Sequence, residues 1–423
     1  MSAPTARRLR TLATVPVAAL VLAACSDDSP TGSNGPDAAS PDFRRLVVTD
    51  NTTPTARIYN AADLSLAGEM STGAAPVSYL YTIGSGRVAV FHQRTANFVG
   101  FIDGGVFAQG NTGVRQAPAM IGTGFRDSLP THGNFNANMA AVFFDGTGRV
   151  GFWNETDLLA GRTAPFLSIN TGGAHHGAAI PKGSGTMVLT SPRNPAGGVP
   201  TAIYAHDLTG RIIDSVTSCP GLHGLAGNER ASLYGCQVGG MVVEQNAQGR
   251  PVFTAVQLEN APTFGVGTVW GAPGKRYLLV RATVRGQPTS AATRTMGVYD
   301  TEGRWMRRIT LPNGDIDVTG ELDATGNFSI ILGRSGTLYV VNNATQAIVA
   351  QLDNLVPAVP ATGALTHTVA TAPGVAYVTS PTQGTVLEVT LGASGSATRG
   401  RTIQVGGTPV RLTVVGVGAR SSR

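Results

Sequence analysis

Charge is scarce in this chain: Asp, Glu, Lys and Arg make up 13% of its 423 residues. Aromatic residues are only 6%, and there are 3 cysteines. No stretch beyond residue 41 keeps helical periodicity over three turns, so almost no helix is expected. No basic stripe is interleaved with aromatics, which argues against nucleic acid as a partner. The net charge of +6 does not alter this, because Arg7, Arg8 and Arg10 supply three of those charges, leaving +3 beyond residue 24. There is no G-x-S-x-G elbow, no P-loop, and no glycine-rich dinucleotide fingerprint set between a strand and a helix. Nothing therefore marks an enzyme, and the chain is read as a non-enzymatic protein.

Turn formers are what the chain has in quantity, with 55 glycines and 25 prolines. Between them runs one unit repeated eight times: an apolar strand, a turn, and a second strand ending in a polar residue. The units are 44–60, 87–103, 138–154, 186–207, 231–244, 276–300, 327–342 and 375–390. Their spacing predicts an all-β fold, a single β-propeller of eight blades, with seven as the alternative if one unit is an elaborated loop. Turns such as Asp145-Gly146 and Ser335-Gly336 are expected to supply the positive φ that hairpins need. The first unit has no innermost strand before it, and 408–415 is expected to provide one from the C-terminal end, closing the ring. A pair of β-sandwiches would explain the strands but not the regular spacing.

Residues 1–24 read as a secretory signal, with a basic start and an apolar stretch, Leu12 to Ala24, too short to remain as a membrane span. The stretch ends in Leu22-Ala23-Ala24-Cys25, the pattern of a bacterial lipobox in which Cys25 is lipidated. Residues 25–41 are small, polar and rich in Pro and Gly, and read as a flexible leash. The propeller domain is expected over 42–418. The resulting picture is a monomer tethered to a membrane by lipid, in the cell envelope, on the periplasmic side or at the outer membrane.

That leaves Cys219 and Cys236. In an exported chain two remaining cysteines normally pair, and neighbouring strands would bring them within reach. A zinc half-site of Cys219, His223 and Cys236 is the competing reading. The disulfide is favoured, since an oxidising compartment removes free thiols.

Three His-Gly steps recur at the repeat spacing: His132-Gly133, His176-Gly177 and His223-Gly224, 44 and 47 residues apart. Equivalent positions in successive blades meet around the axis, so the three imidazoles are expected to converge. His367 occupies a similar register, while Asp317 and His175 are weaker candidates, His175 because it points to the opposite side of a strand from His176. Imidazoles with one carboxylate suit zinc better than calcium or magnesium. His92 and His206 are assigned to structure or surface. A His-Gly step can also be plain turn chemistry, in which case the propeller is an envelope scaffold that binds a protein or polysaccharide.

With these residues in place, the chain resembles the periplasmic zinc metallochaperone propellers that accompany bacterial zinc ABC transporters. The resemblance is carried by FIDGGV (101–106), AVFFDGTG (141–148), HHGAAIP (175–181), CPGLHG (219–224), YGCQVGGMVV (234–243) and AYVTSPTQGTV (376–386). It implies a propeller with a Cys219–Cys236 disulfide and zinc held at the axis by the matching histidines. It also implies a function of storing, sensing or delivering zinc, with the transporter's solute-binding protein as recipient. One departure stands out: that family has a mobile segment rich in His and Asp after the FIDGG-like motif, whereas 107–124 here contains neither residue. A loading or transfer loop is therefore expected to be missing.

Overall fold

The apolar runs and turns become eight antiparallel sheets, seven of four strands and one of five, with a separate two-stranded hairpin. A computed structural model describes residues 40–110, 112–136 and 138–419, all within one unit, Gly35–Arg423. The signal segment, Cys25 and the leash as far as residue 39 lie outside the described residues. Among the described residues no helix is long and apolar enough to cross a membrane.

The sheets are the blades of an eight-bladed propeller. In blade three, for example, Pro130–Asn136 lies innermost, followed outward by Met139–Phe144, Arg149–Asn154 and Leu167–Asn170. All eight repeat units coincide with the two middle strands of a blade. The reason is burial. Middle strands are covered on both faces by neighbouring blades, so Val88–Gln93 and Met139–Phe144 are buried throughout, and Met139–Phe144 reads as a continuous apolar run. Outer strands are half in water, and Ile348–Leu352 alternates accordingly. The cores lie between blades: Tyr81, Val90 and Phe101 of blade two pack with Phe135, Val142, Phe144 and Trp153 of blade three. Each such side chain contributes about 1.5–3 kcal/mol when fully buried, so the ring is held together by its blade-to-blade seams.

The ring closes as expected. Arg44–Asp50 pairs on one side with Thr55–Asn60 and on the other with Pro409–Gly416, which becomes the innermost strand of blade one. The one α-helix among the described residues is Glu155–Leu159, capped by the Asn154 side chain accepting from Asp157 N. Glu155 reaches back to blade two, accepting from the Ser85 N–H (2.8 Å) and hydroxyl (2.9 Å). One turn differs from expectation. Positive φ follows Phe144 at Gly148 (66°) rather than at Gly146, and a side chain is excluded there because the Gly173 carbonyl oxygen would lie 1.8 Å from an added Cβ.

Neighbouring innermost strands run in the same direction. The Thr371 hydroxyl, near the end of its strand, donates to the Leu322 carbonyl at the end of the preceding one (2.7 Å), and the hydroxyls of Thr82 and Thr413 are 2.8 Å apart. All eight therefore begin at one face, called the top. Arg44 pairs with Gly416 at the bottom end, so the chain enters the ring at the bottom face. The hairpin Val106–Gln109 and Thr112–Arg115 also lies at the bottom, just after Asp103. Arg45 Nη1 fastens its base by donating to the carbonyls of Gly104 and Gln116, each at 2.7 Å.

Candidate metal centre

The three His-Gly steps stand at the top of blades three, four and five. Their glycines are explained by close approach. A Cβ on Gly133 would lie 2.4 Å from the Tyr81 ring of blade two, and one on Gly177 would lie 2.3 Å from the Phe143 ring of blade three. Gly224 has φ 77° and sits against the Gly267 backbone of blade six, with the carbonyl oxygen 2.4 Å from where a Cβ would be. At each step the main chain presses on the adjacent blade, and the preceding histidine is delivered to the channel mouth.

There the rings meet. His132 Nε2 and His176 Nε2 are 3.0 Å apart, and one potential ligand atom from each of His132, His176 and His223 lies within 4.8 Å of the others. Ring centroids are 4.7 to 5.4 Å apart. Ligand nitrogens about 2.0–2.1 Å from a tetrahedral zinc stand roughly 3.3 Å from each other, a spacing near the 3.0 Å between His132 and His176. The donor set leaves a fourth position open, and three neutral imidazoles suit a borderline metal.

Two of the rings are oriented from behind. His176 Nδ1–H donates to Asp145 Oδ2 (2.9 Å), and His223 Nδ1–H donates to the Gly267 carbonyl (2.9 Å). Each bond commits Nδ1 as the donor and leaves Nε2 with its lone pair for the site. Asp145 is itself held by Arg94 Nη1 (2.9 Å), which also contacts the Thr131 hydroxyl. Burial pushes the Asp145 carboxyl up, but His176, Thr131 and Arg94 together outweigh it and hold it below the ordinary carboxylate range. The Cys219–Cys236 disulfide, with Cα atoms 5.0 Å apart, sits beside this group at the top of blade five. It staples the segment that carries His223, whose N–H donates to the Gly235 carbonyl at 3.0 Å. With both sulfurs bonded to each other, a zinc half-site of Cys219, His223 and Cys236 is not what the structure holds.

The remaining candidates lie elsewhere. His175 turns away from the axis, with its ring edge on Phe143 (5.0 Å) and its nitrogens at the carbonyls of Gly173 and Ser191. His367 directs Nδ1 at the Thr379 carbonyl (2.9 Å) on the far side of the mouth, and burial lowers its pKa. Asp317 is buried in ion pairs with Arg281 and Arg294, the latter donating Nε–H at 2.9 Å. His206 is bonded to Thr190 and Gly210, and His92 is fully buried, stacked on Tyr79 with centroids 4.7 Å apart. The positioning residues Asp145, Arg94 and Gly267 were not singled out from the sequence. The available signal was a carboxylate ending a buried strand one blade before His176, visible only once blades are aligned.

No family model matches the chain. Over 163 residues it is 24% identical to the zinc chaperone AztD of Citrobacter koseri, a match spanning 38% of this chain and 38% of that protein. The crystal structure of Citrobacter koseri AztD superposes with a TM-score of 0.76 at 22% identity, covering 88% of this chain and 98% of that one. The apo structure of the same protein gives the same values. The dihydro-heme d1 dehydrogenase NirN, in complex with DHE, shares the fold more distantly, with a TM-score of 0.56, 12% identity, and coverage of 90% and 76%. The resemblance to zinc metallochaperone propellers, read from the motifs, is thus borne out by sequence and by fold.

Proposed function

We propose that this propeller holds one zinc ion at the top of its axis, on His132, His176 and His223, and passes it to the solute-binding protein of a zinc transporter. The observation that carries this reading is the convergence of three imidazoles from three successive blades, within 4.8 Å of one another, two of them fixed by Asp145 and Gly267. The likeness to a zinc chaperone supports the choice of metal. The role is custody rather than catalysis, exercised by a monomer in the cell envelope.

In this reading residues 1–24 are removed, Cys25 carries lipid, and residues up to 41 form the leash of a propeller spanning 42–418. The chain enters the ring at the bottom face, so a tether there leaves the metal site on the opposite face, open to a partner. The hairpin strands Val106–Gln109 and Thr112–Arg115 lie at the bottom and bring no ligand to the top. Zinc is then loaded and released directly at the mouth.

The test is metal content of the mature protein, purified without a polyhistidine tag from an oxidising compartment, followed by competition with a chelator of known affinity. About one zinc per chain, retained against the chelator and lost in His176→Ala, supports the assignment. No zinc, and none taken up on addition, overturns it and leaves an envelope scaffold.

A further inference from the structure

Across the mouth from the three histidines lies a cavity of about 370 Å³, walled by blades six, seven, eight, one and two. Its polar lining includes four guanidinium groups, Arg281, Arg294, Arg334 and Arg411, against two carboxylates, Asp317 and Glu321. The surplus is two positive charges. Asp317 accounts for two of the arginines: Arg281 and Arg294 both pair with it, and those two cations outweigh the burial that would raise its pKa, holding it below its ordinary value. Arg411 lies with its guanidinium carbon 5.5 Å from the Tyr79 ring centre. The Arg334 guanidinium has neither hydrogen bond nor ion pair among the described residues. His367, placed by register with the metal ligands, lines this cavity instead.

Like charges gathered in a recess walled partly by Tyr79, Trp270 and Leu365 repel more strongly than they would in open water. Asp317 and Glu321 offset half of that charge. A planar fork of N–H donors is best matched by carboxylate or phosphate oxygens. We propose that the cavity binds a small polyvalent oxyanion, a di- or tricarboxylate or a phosphate, through Arg334 and Arg411. This site is separate from the histidine cluster and does not depend on its holding zinc.

The probes are citrate and inorganic phosphate, titrated separately by calorimetry into the metal-free mature protein at pH 7 and low salt. At least one is expected to bind with Kd below about 1 mM, and to weaken as salt is raised. Arg334→Gln and Arg411→Gln should each lower that affinity at least about tenfold, or about 1.4 kcal/mol. Binding of citrate alone assigns the site to carboxylates, and binding of phosphate alone assigns it to phosphate groups. Metal-free His176→Ala should bind the anion as the parent does, so that loss of zinc and loss of the anion are read independently. If Arg411→Gln fails to fold, Arg334→Gln decides by itself, since its side chain supports no other residue. The proposal is overturned if neither anion binds, if Arg334→Gln binds as tightly as the parent, or if His176→Ala abolishes binding.

Discussion

His223 and His367 each stand two residues before the innermost strand of their blade, and each has Nδ1 2.9 Å from a main-chain carbonyl. The carbonyl differs. His223 donates across the seam to Gly267 of blade six, whereas His367 reaches Thr379 on the second strand of its own blade. One ring is held between blades at the channel mouth; the other is drawn back against its own sheet. His176 follows the first pattern, since its partner Asp145 belongs to blade three. Equal register therefore does not place the rings alike: the hydrogen bond behind the ring decides where the other nitrogen points. The two halves of the mouth diverge on this point, with three clustered imidazoles over blades three to five and four guanidinium groups from blades six, seven and one on the other side.

The sharpest way to break the comparison is to delete one ring from each half. His176→Ala should lower zinc affinity by about a thousandfold, close to 4 kcal/mol, while His367→Ala should leave it within about twofold; competition against a chromophoric chelator measures both. Equal losses would show that register alone makes a ligand. Next in size is the staple beside His223. Replacing Cys219 and Cys236 by serine opens a loop with a sequence separation of 17, for which the loss of stability is about 3 kcal/mol, read as a shift of the chemical denaturation midpoint.

A smaller effect is expected from the group behind His176. Asp145→Asn should cost about 10–100-fold in zinc affinity with the melting temperature of the metal-free protein little changed; no change in affinity would remove Asp145 from the site. Zinc affinity should also fall as the pH is lowered, because the rings must be neutral to ligate.

The last effect concerns the metal-free fold and grows only as the pH falls. Burial pushes the pKa of His92 down to about 3 and lowers those of His206 and His367. Below about pH 6.5 the unfolded chain takes up protons that the folded chain refuses. Stability present at neutral pH is therefore lost as the pH falls, and each such histidine adds up to about 1.4 kcal/mol per pH unit. For His92 the loss continues down to about pH 3. His92→Gln should make the acid limb of the stability curve shallower, and an unchanged limb would remove His92 as a contributor.

Much of the fold was legible because a propeller repeats one local solution. A strand covered on both faces is mostly apolar, so the middle pair of every blade appears as a paired run, from 44–60 to 375–390. Outer strands were harder to place, since Ala397–Gln404 is mostly exposed and carries little pattern. The strand from Pro409 to Gly416 was recoverable by elimination: blade one lacked an inner strand, and only the far end of the chain remained.

Sequence by itself determined the repeat, the strand that closes the ring, and the residue types that come to the mouth, and it favoured eight blades over seven. It also brought Cys219 and Cys236 together, because they flank one hairpin and local geometry suffices. Tertiary structure decided which mouth residues share a site. That choice rests on contacts across the seams: Asp145 behind His176, Gly267 behind His223, and the arginine pair that holds Asp317. Residues dozens of positions apart meet there only after the ring has closed, and a seam between blades leaves no periodic signal along the chain.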